Sequence, residues 1–151
     1  MNFIGERRTM HVVKRAWCMD AYNGLRGTFE SAEGAWHIAR GVLSEKMELW
    51  RVNGDSWLVT EVMFGNKMLF LWCYEGRLLM QLIDHLVLVC HKAGFEQLSF
   101  FTRHRGALRI LRRYGVFSLP TKTAGECQYV IDIDIAMRNR ITPKELSYVI
   151  E

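Results

Sequence analysis

Four arginines, Arg105, Arg109, Arg112 and Arg113, recur at helical spacing within RGALRILRRYGV (residues 105–116), with Ala107, Leu108, Leu111 and Tyr114 opposite them. A row of guanidinium groups on one helix face suits phosphate oxygens, from nucleic acid or from a phosphorylated ligand, because each contact neutralises a charge and releases counterions. The same row also serves as the solvated face of a short basic helix, and both readings stand. A helix-turn-helix fits poorly, since the preceding LSFFT (98–102) reads as a buried strand. Other polar sets carry less chemistry. Asp84, His85, Cys90 and His91 share one helical segment, but the spacing of the two histidines points them apart and Cys90 falls on the apolar side, so no zinc site is expected. Cys18, Cys73, Cys90 and Cys127 lack any C-x-x-C spacing and three lie in apolar runs, which reads as reduced core thiols in a cytosolic compartment. The five tryptophans sit mostly in apolar patterns; Trp50 and Trp57 flank one hairpin turn, where they would pair across it or face a partner.

These residues need a scaffold, and the composition bounds it. The chain has 151 residues, half hydrophobic and a quarter charged, with a net charge of +4. That size suits a single domain over 1–151 with one substantial core. The mild basicity is compatible with an anionic partner without requiring one. Charge interrupts the apolar runs of the first twenty residues, so no secretory segment is expected, and no run of about 18 apolar residues would span a membrane. No repeat, low-complexity tract or linker appears.

The periodicity of the apolar residues gives the elements. Residues 10–14 read as a first strand, followed by helices near 16–25 and 32–43. Ser31 is a suitable N-cap for the second, and Glu33 lies in its first turn, where the helix dipole favours an anion. Ala35, Ile38, Ala39, Val42 and Leu43 fall on one face of that helix, opposite Glu33, His37 and Arg40. A meander follows: strands at 48–52, 57–63 and 67–74, joined at Asn53-Gly54 and Gly65-Asn66, pairs that tolerate the positive φ of tight hairpins. The last of these strands is apolar on both faces, as a central strand should be. A helix at about 77–93 carries Leu78, Leu79, Leu82, Ile83, Leu86, Val89, Cys90 and Ala93 as its apolar stripe, with His85 and His91 outward, and ends at Gly94. Strand 97–102, the basic helix 104–114, strand 116–119 and an alternating strand 127–135 complete the order. The expected architecture is a mixed α/β (α+β) sheet of order β-α-α-β-β-β-α-β-α-β-β. Strands 67–74 and 97–102 are expected to be parallel or splayed neighbours across a right-handed crossover.

This succession resembles the GNAT family of N-acetyltransferases over about residues 9–135. Many members carry a helix reading roughly N-x-x-A-x-x-L-Y-x-x-x-G-F after the fifth strand. Here His104 stands at the Asn position, Ala107, Ile110 and Gly115 keep the register, Leu111 replaces the Tyr and Val116 the Phe. Gly94, Phe95 and Leu98 match a common entry into that strand. The family's pyrophosphate loop reads [QR]-x-x-G-x-[GA]: glycines let backbone N–H groups close around phosphates at a helix N-terminus. Gly76 aligns with its last position, Tyr74 with the first glycine and Leu71 with the Gln/Arg.

The resemblance implies a GNAT-like fold and, if the chain is catalytic, acetyl-CoA as cofactor. Cofactor contacts are then expected at Tyr74, Glu75, Gly76, Arg77 and His104. Acetyl transfer also needs a base and an acid. Glu61 is the base candidate, though a solvated strand carboxylate is the alternative; Tyr114 is the acid candidate beside the replaced Leu111. Because loop and acid residues depart together, the expected protein is a non-catalytic binding or structural component of this fold with no cofactor. A looser similarity to small bacteriophage-encoded GNAT-like proteins implies a virion setting as the alternative to the cytoplasm. A protein partner or second copy is expected, and no membrane. An active N-acetyltransferase and a nucleic-acid-associated protein using its basic helix remain as alternatives.

Overall fold

The structure, a computed structural model, describes residues 10–29, 31–76, 79–102, 116–120 and 127–139. In chain order these form β1 (Val12–Arg15), α1 (Met19–Leu25), a 3-10 turn (Arg26–Thr28), α2 (Ala32–Leu43), β2 (Glu48–Val52), β3 (Ser56–Met63), β4 (Met68–Glu75), α3 (Leu79–Ala93), β5 (Gln97–Thr102), β6 (Val116–Pro120), β7 (Cys127–Asp132) and α4 (Ile133–Arg138). The strands make one sheet in the order β1-β2-β3-β4-β5-β7-β6. Among the described residues only β4 and β5 run parallel, and every other neighbouring pair is antiparallel.

Local chemistry sets the ends of these elements. Ser31 Oγ accepts a hydrogen bond from the Gly34 N–H at 3.0 Å and so caps α2. The first hairpin turns through Asn53 and Gly54 at φ 53° and 74°, and the second through Phe64, Gly65 and Asn66, all at positive φ. Helix α3 closes with two bonds, Phe95 N–H to the Cys90 carbonyl and Gly94 N–H to the His91 carbonyl, with Gly94 at φ 85°. That pair of bonds is the Schellman arrangement, and it requires the left-handed residue that glycine supplies.

Two apolar clusters cover the faces of the sheet. Leu58, Leu69, Leu71, Leu98, Phe100 and Ile131 point from the strands to Leu82, Ile83, Leu86, Val87 and Cys90 of α3. On the other face, Leu49, Trp57 and Val59 meet Ala21 and Leu25 of α1 and Ile38 and Val42 of α2. β4 is therefore covered on both sides, as its apolar run required.

Several expectations need correction. The alternating strand does not run to residue 135: it ends at Asp132, whose carboxylate accepts the Ile135 N–H at 3.0 Å and caps α4. Capping outweighs alternation there, because Ile133 and Ala136 bury the same apolar surface on a helix that the strand pattern promised. The buried stripe of α3 takes Val87 instead of Val89 and Ala93, both exposed, and His85 is half-buried. Leu43, the last residue of α2, is exposed, so the buried face of α2 is narrower than its composition suggested. Trp50 and Trp57 do not pair. Trp50 lies opposite Leu58 and turns to the α3 side, donating its indole N–H to Thr60 Oγ1 at 2.9 Å; Trp57 lies opposite Arg51, whose guanidinium sits 4.2 Å from the indole centroid.

Candidate functional site

The parallel pairing of β4 with β5 is short. It runs from Met68–Gln97 to Leu71–Phe100 and stops, although β4 continues to Glu75 and β5 to Thr102. At its root the Lys67 carbonyl accepts from both Glu96 and Gln97 N–H groups, which holds the two strands together at one end. Beyond Leu71 the strands part, and the facing backbone edges form a wedge. The pairing of β4 with β3 changes register at the same place: Val59 lies opposite Cys73 but Thr60 opposite Leu71, so Trp72 is an extra residue. Such a bulge bends and twists its strand and turns two successive side chains to one face. Trp72 and Cys73 both pack on the α1/α2 side.

Trp72 organises that side of the wedge. Its indole N–H donates to Glu61 Oε1 at 2.9 Å. His37 of α2 meets the Trp72 ring edge-on at 5.2 Å between centroids, Phe70 meets it at 5.0 Å, and Phe101 of β5 meets Phe70 at 5.3 Å. Glu61 is thus no solvated strand carboxylate: it is 8% exposed, beside Phe70 across the ladder. Cys73 is closed off from chemistry: burial pushes its thiol up to about 12, against a smaller opposing effect of a hydrogen bond with Thr28.

The α3 side differs. Tyr74 is a strand residue paired with Leu58, not a loop residue, and Leu71 lies in the α3-side core. The Tyr74 hydroxyl is hydrogen-bonded to Ser56, which itself donates to Asp55 Oδ1 at 2.8 Å. Burial raises the Tyr74 phenol above its ordinary value of 10.0, and the charges of Asp55 and Glu75 add to that. Gly76 packs directly on this group: a Cβ there would overlap Ser56 and come within 2.8 Å of the Tyr74 hydroxyl. The structure therefore brings Tyr74, Glu75 and Gly76 together at the end of β4 and sets Glu61 on the face of the sheet opposite to Tyr74. Arg77, His104, Arg105, Arg109, Arg112, Arg113 and Tyr114 lie outside the described residues. Sequence reasoning missed Ser56, Trp72 and His37. The first is signalled only by its place two residues before Leu58, the ladder partner of Tyr74; the bulge is hidden by a strand apolar at nearly every position.

A separate cleft of about 270 Å³ opens at the start of α2, lined by Tyr22, Arg26, Phe29, Ser31, Ala32 and Ala35. Among the described residues no group of three or more His, Cys, Asp or Glu side chains is placed to hold a metal ion, and no helix is long and apolar enough to cross a membrane.

Solved structures share this fold. A putative acetyltransferase of the GNAT family from Desulfovibrio desulfuricans superposes over 83% of this chain and 99% of its own, with a TM-score of 0.56 at 15% identity. The chain has the GNAT fold. A probable acetyltransferase from Staphylococcus epidermidis matches 82% of this GNAT-fold chain and 99% of its own at TM-score 0.58 and 9% identity. An acetyltransferase from Bacillus subtilis, solved in complex with CoA, does so over 82% and 99% at TM-score 0.55 and 12% identity. Identities this low show the GNAT architecture and leave the chemistry to this chain's own residues. No protein-family model matches the sequence, and no curated protein matches it.

Proposed function

We propose that this chain uses the GNAT fold as a binding or structural scaffold and does not transfer acetyl groups. The observation that carries the reading is the Tyr74–Ser56–Asp55 group beneath Gly76. A phosphate loop needs small residues so that backbone N–H groups can approach an anion. Here the position that aligns with the family loop's first glycine is held by a strand residue, Tyr74, its hydroxyl engaged by Ser56, and an apolar Leu71 aligns with the family's polar residue. The reading includes a protein partner or second copy, in a cytoplasmic or virion setting.

Millimolar acetyl-CoA is expected to leave the melting temperature within about 1 °C. A ligand at a hundred times its Kd would raise it by about 5 °C or more at this chain length, and such a rise sinks the reading. Tyr74→Gly should increase acetyl-CoA binding in calorimetry if the ring is the obstacle.

A second reading, an active acetyl-CoA-dependent N-acetyltransferase, is favoured by Glu61, a buried carboxylate beside the point where β4 and β5 part. In that case Glu61 would take the proton from an attacking amine. Glu61→Gln would then abolish any transfer while leaving acetyl-CoA binding intact.

A further inference from the structure

We infer that Glu61 and the aromatic row beside it form a binding site for a quaternary ammonium group. The inference rests on the binding-scaffold reading above, and deepens it by naming a class of ligand. Its first support is an unmatched polar atom. Glu61 is nine-tenths buried, Trp72 Nε1 satisfies Oε1, and among the described residues Oε2 has no hydrogen-bond donor. A buried carboxylate oxygen without a donor or a cation is costly, and the cost is removed when a positive group comes to it.

The second support is the character of the surrounding walls. On the same face of the sheet Phe70, Trp72, Phe101 and His37 touch one another in a continuous row of edge contacts. Phe101 is 42% exposed, Trp72 is half-buried and His37 is exposed, so the row runs from the interior to solvent. Ring faces attract cations through their quadrupole, most strongly where water is excluded.

The third support discriminates between cations. A primary ammonium carries three N–H donors, and a single open carboxylate oxygen among aromatic rings would leave the others unmatched. A quaternary ammonium spreads its charge over C–H groups, which the rings accept without hydrogen bonds. It also offers no N–H for acylation, which suits a scaffold that binds without transferring.

The test uses the full chain, with tetramethylammonium, methylammonium and neutral tert-butanol as probes at equal ionic strength. Binding is followed through the indole N–H resonance of Trp72, assigned by its loss in Trp72→Phe. Tetramethylammonium is expected to bind roughly tenfold more tightly than tert-butanol, to shift the Trp72 resonance, and to lose most of that advantage in Glu61→Gln. Equal affinity for tetramethylammonium and tert-butanol, or an unmoved Trp72 resonance, overturns the inference with the wild-type chain alone. Tighter binding of methylammonium also overturns it, in favour of a primary-amine acceptor site. Acetyl-CoA binding is measured separately, so failure here is distinct from failure of the scaffold reading.

Discussion

Burial governs the acid–base behaviour of individual side chains in this protein. The thiols of Cys73 and Cys90 are both pushed up to about 12 by their apolar surroundings. The thiolate is the reactive form, so neither should be alkylated by iodoacetamide at pH 8 in the folded protein, while both should react after denaturation. Mass spectrometry after brief labelling reads this directly. His85 on α3 responds in the opposite sense. Burial holds its imidazole below the ordinary 6.5, and the nearby Lys92 adds to the effect, outweighing the Asp84 charge that acts to raise it. Between 6.5 and the lower folded value the unfolded chain takes up a proton that the folded one resists. Stability from this group is therefore complete above about pH 6.5 and declines as pH falls. Urea melts of His85→Gln should show a flatter dependence on pH below 6.5 than the parent chain.

Packing between elements makes small residues as constraining as large ones. Gly24 of α1 faces the indole of Trp57, which is buried and capped on its far strand neighbour by Arg51; a Cβ at Gly24 would stand 2.8 Å from the indole nitrogen and closer still to Cδ1. Gly24→Ala should add about 1 kcal/mol of helix propensity, yet the rigid ring cannot retreat. The expected outcome is a net loss of about 1–3 kcal/mol, measured by denaturant unfolding. Ser31→Ala should cost about 1 kcal/mol through loss of the cap on α2. The elements themselves were largely legible in the sequence, because apolar period, glycine turns and Ser31 all act locally. The boundary at Asp132 was not: Tyr129, Ile131 and Ile133 alternate like a strand, and only the side-chain cap tells the chain to coil. The candidate site was legible in part. Glu61 and Tyr74 could be singled out by type, but the partners that define them, Trp72 and Ser56, come from neighbouring strands whose register no local pattern reveals.

At the scale of the whole molecule, the balance of charge decides between the remaining partners. If Arg105, Arg109, Arg112 and Arg113 neutralise phosphates of duplex DNA, each contact adds about −0.9 to the slope of log affinity against log salt. Arg109→Ala with Arg112→Ala should then flatten that slope by nearly two units, equally for all sequences. We expect no binding to short duplexes at physiological salt, since +4 spread over 151 residues is a modest attraction. Micromolar binding at that salt in a fluorescence anisotropy titration would overturn the expectation.

The extra residue in β4 has a different kind of consequence. What bends the strand is a count: the eight residues from Met68 to Glu75 are laid against the seven from Trp57 to Met63, so Trp72 has no opposite number on β3, whatever the side chains. Substitution can therefore rewrite every polar group around the opening while the opening itself is inherited unchanged. Only a change in chain length, such as deletion of residue 72, would let the two strands close over one another.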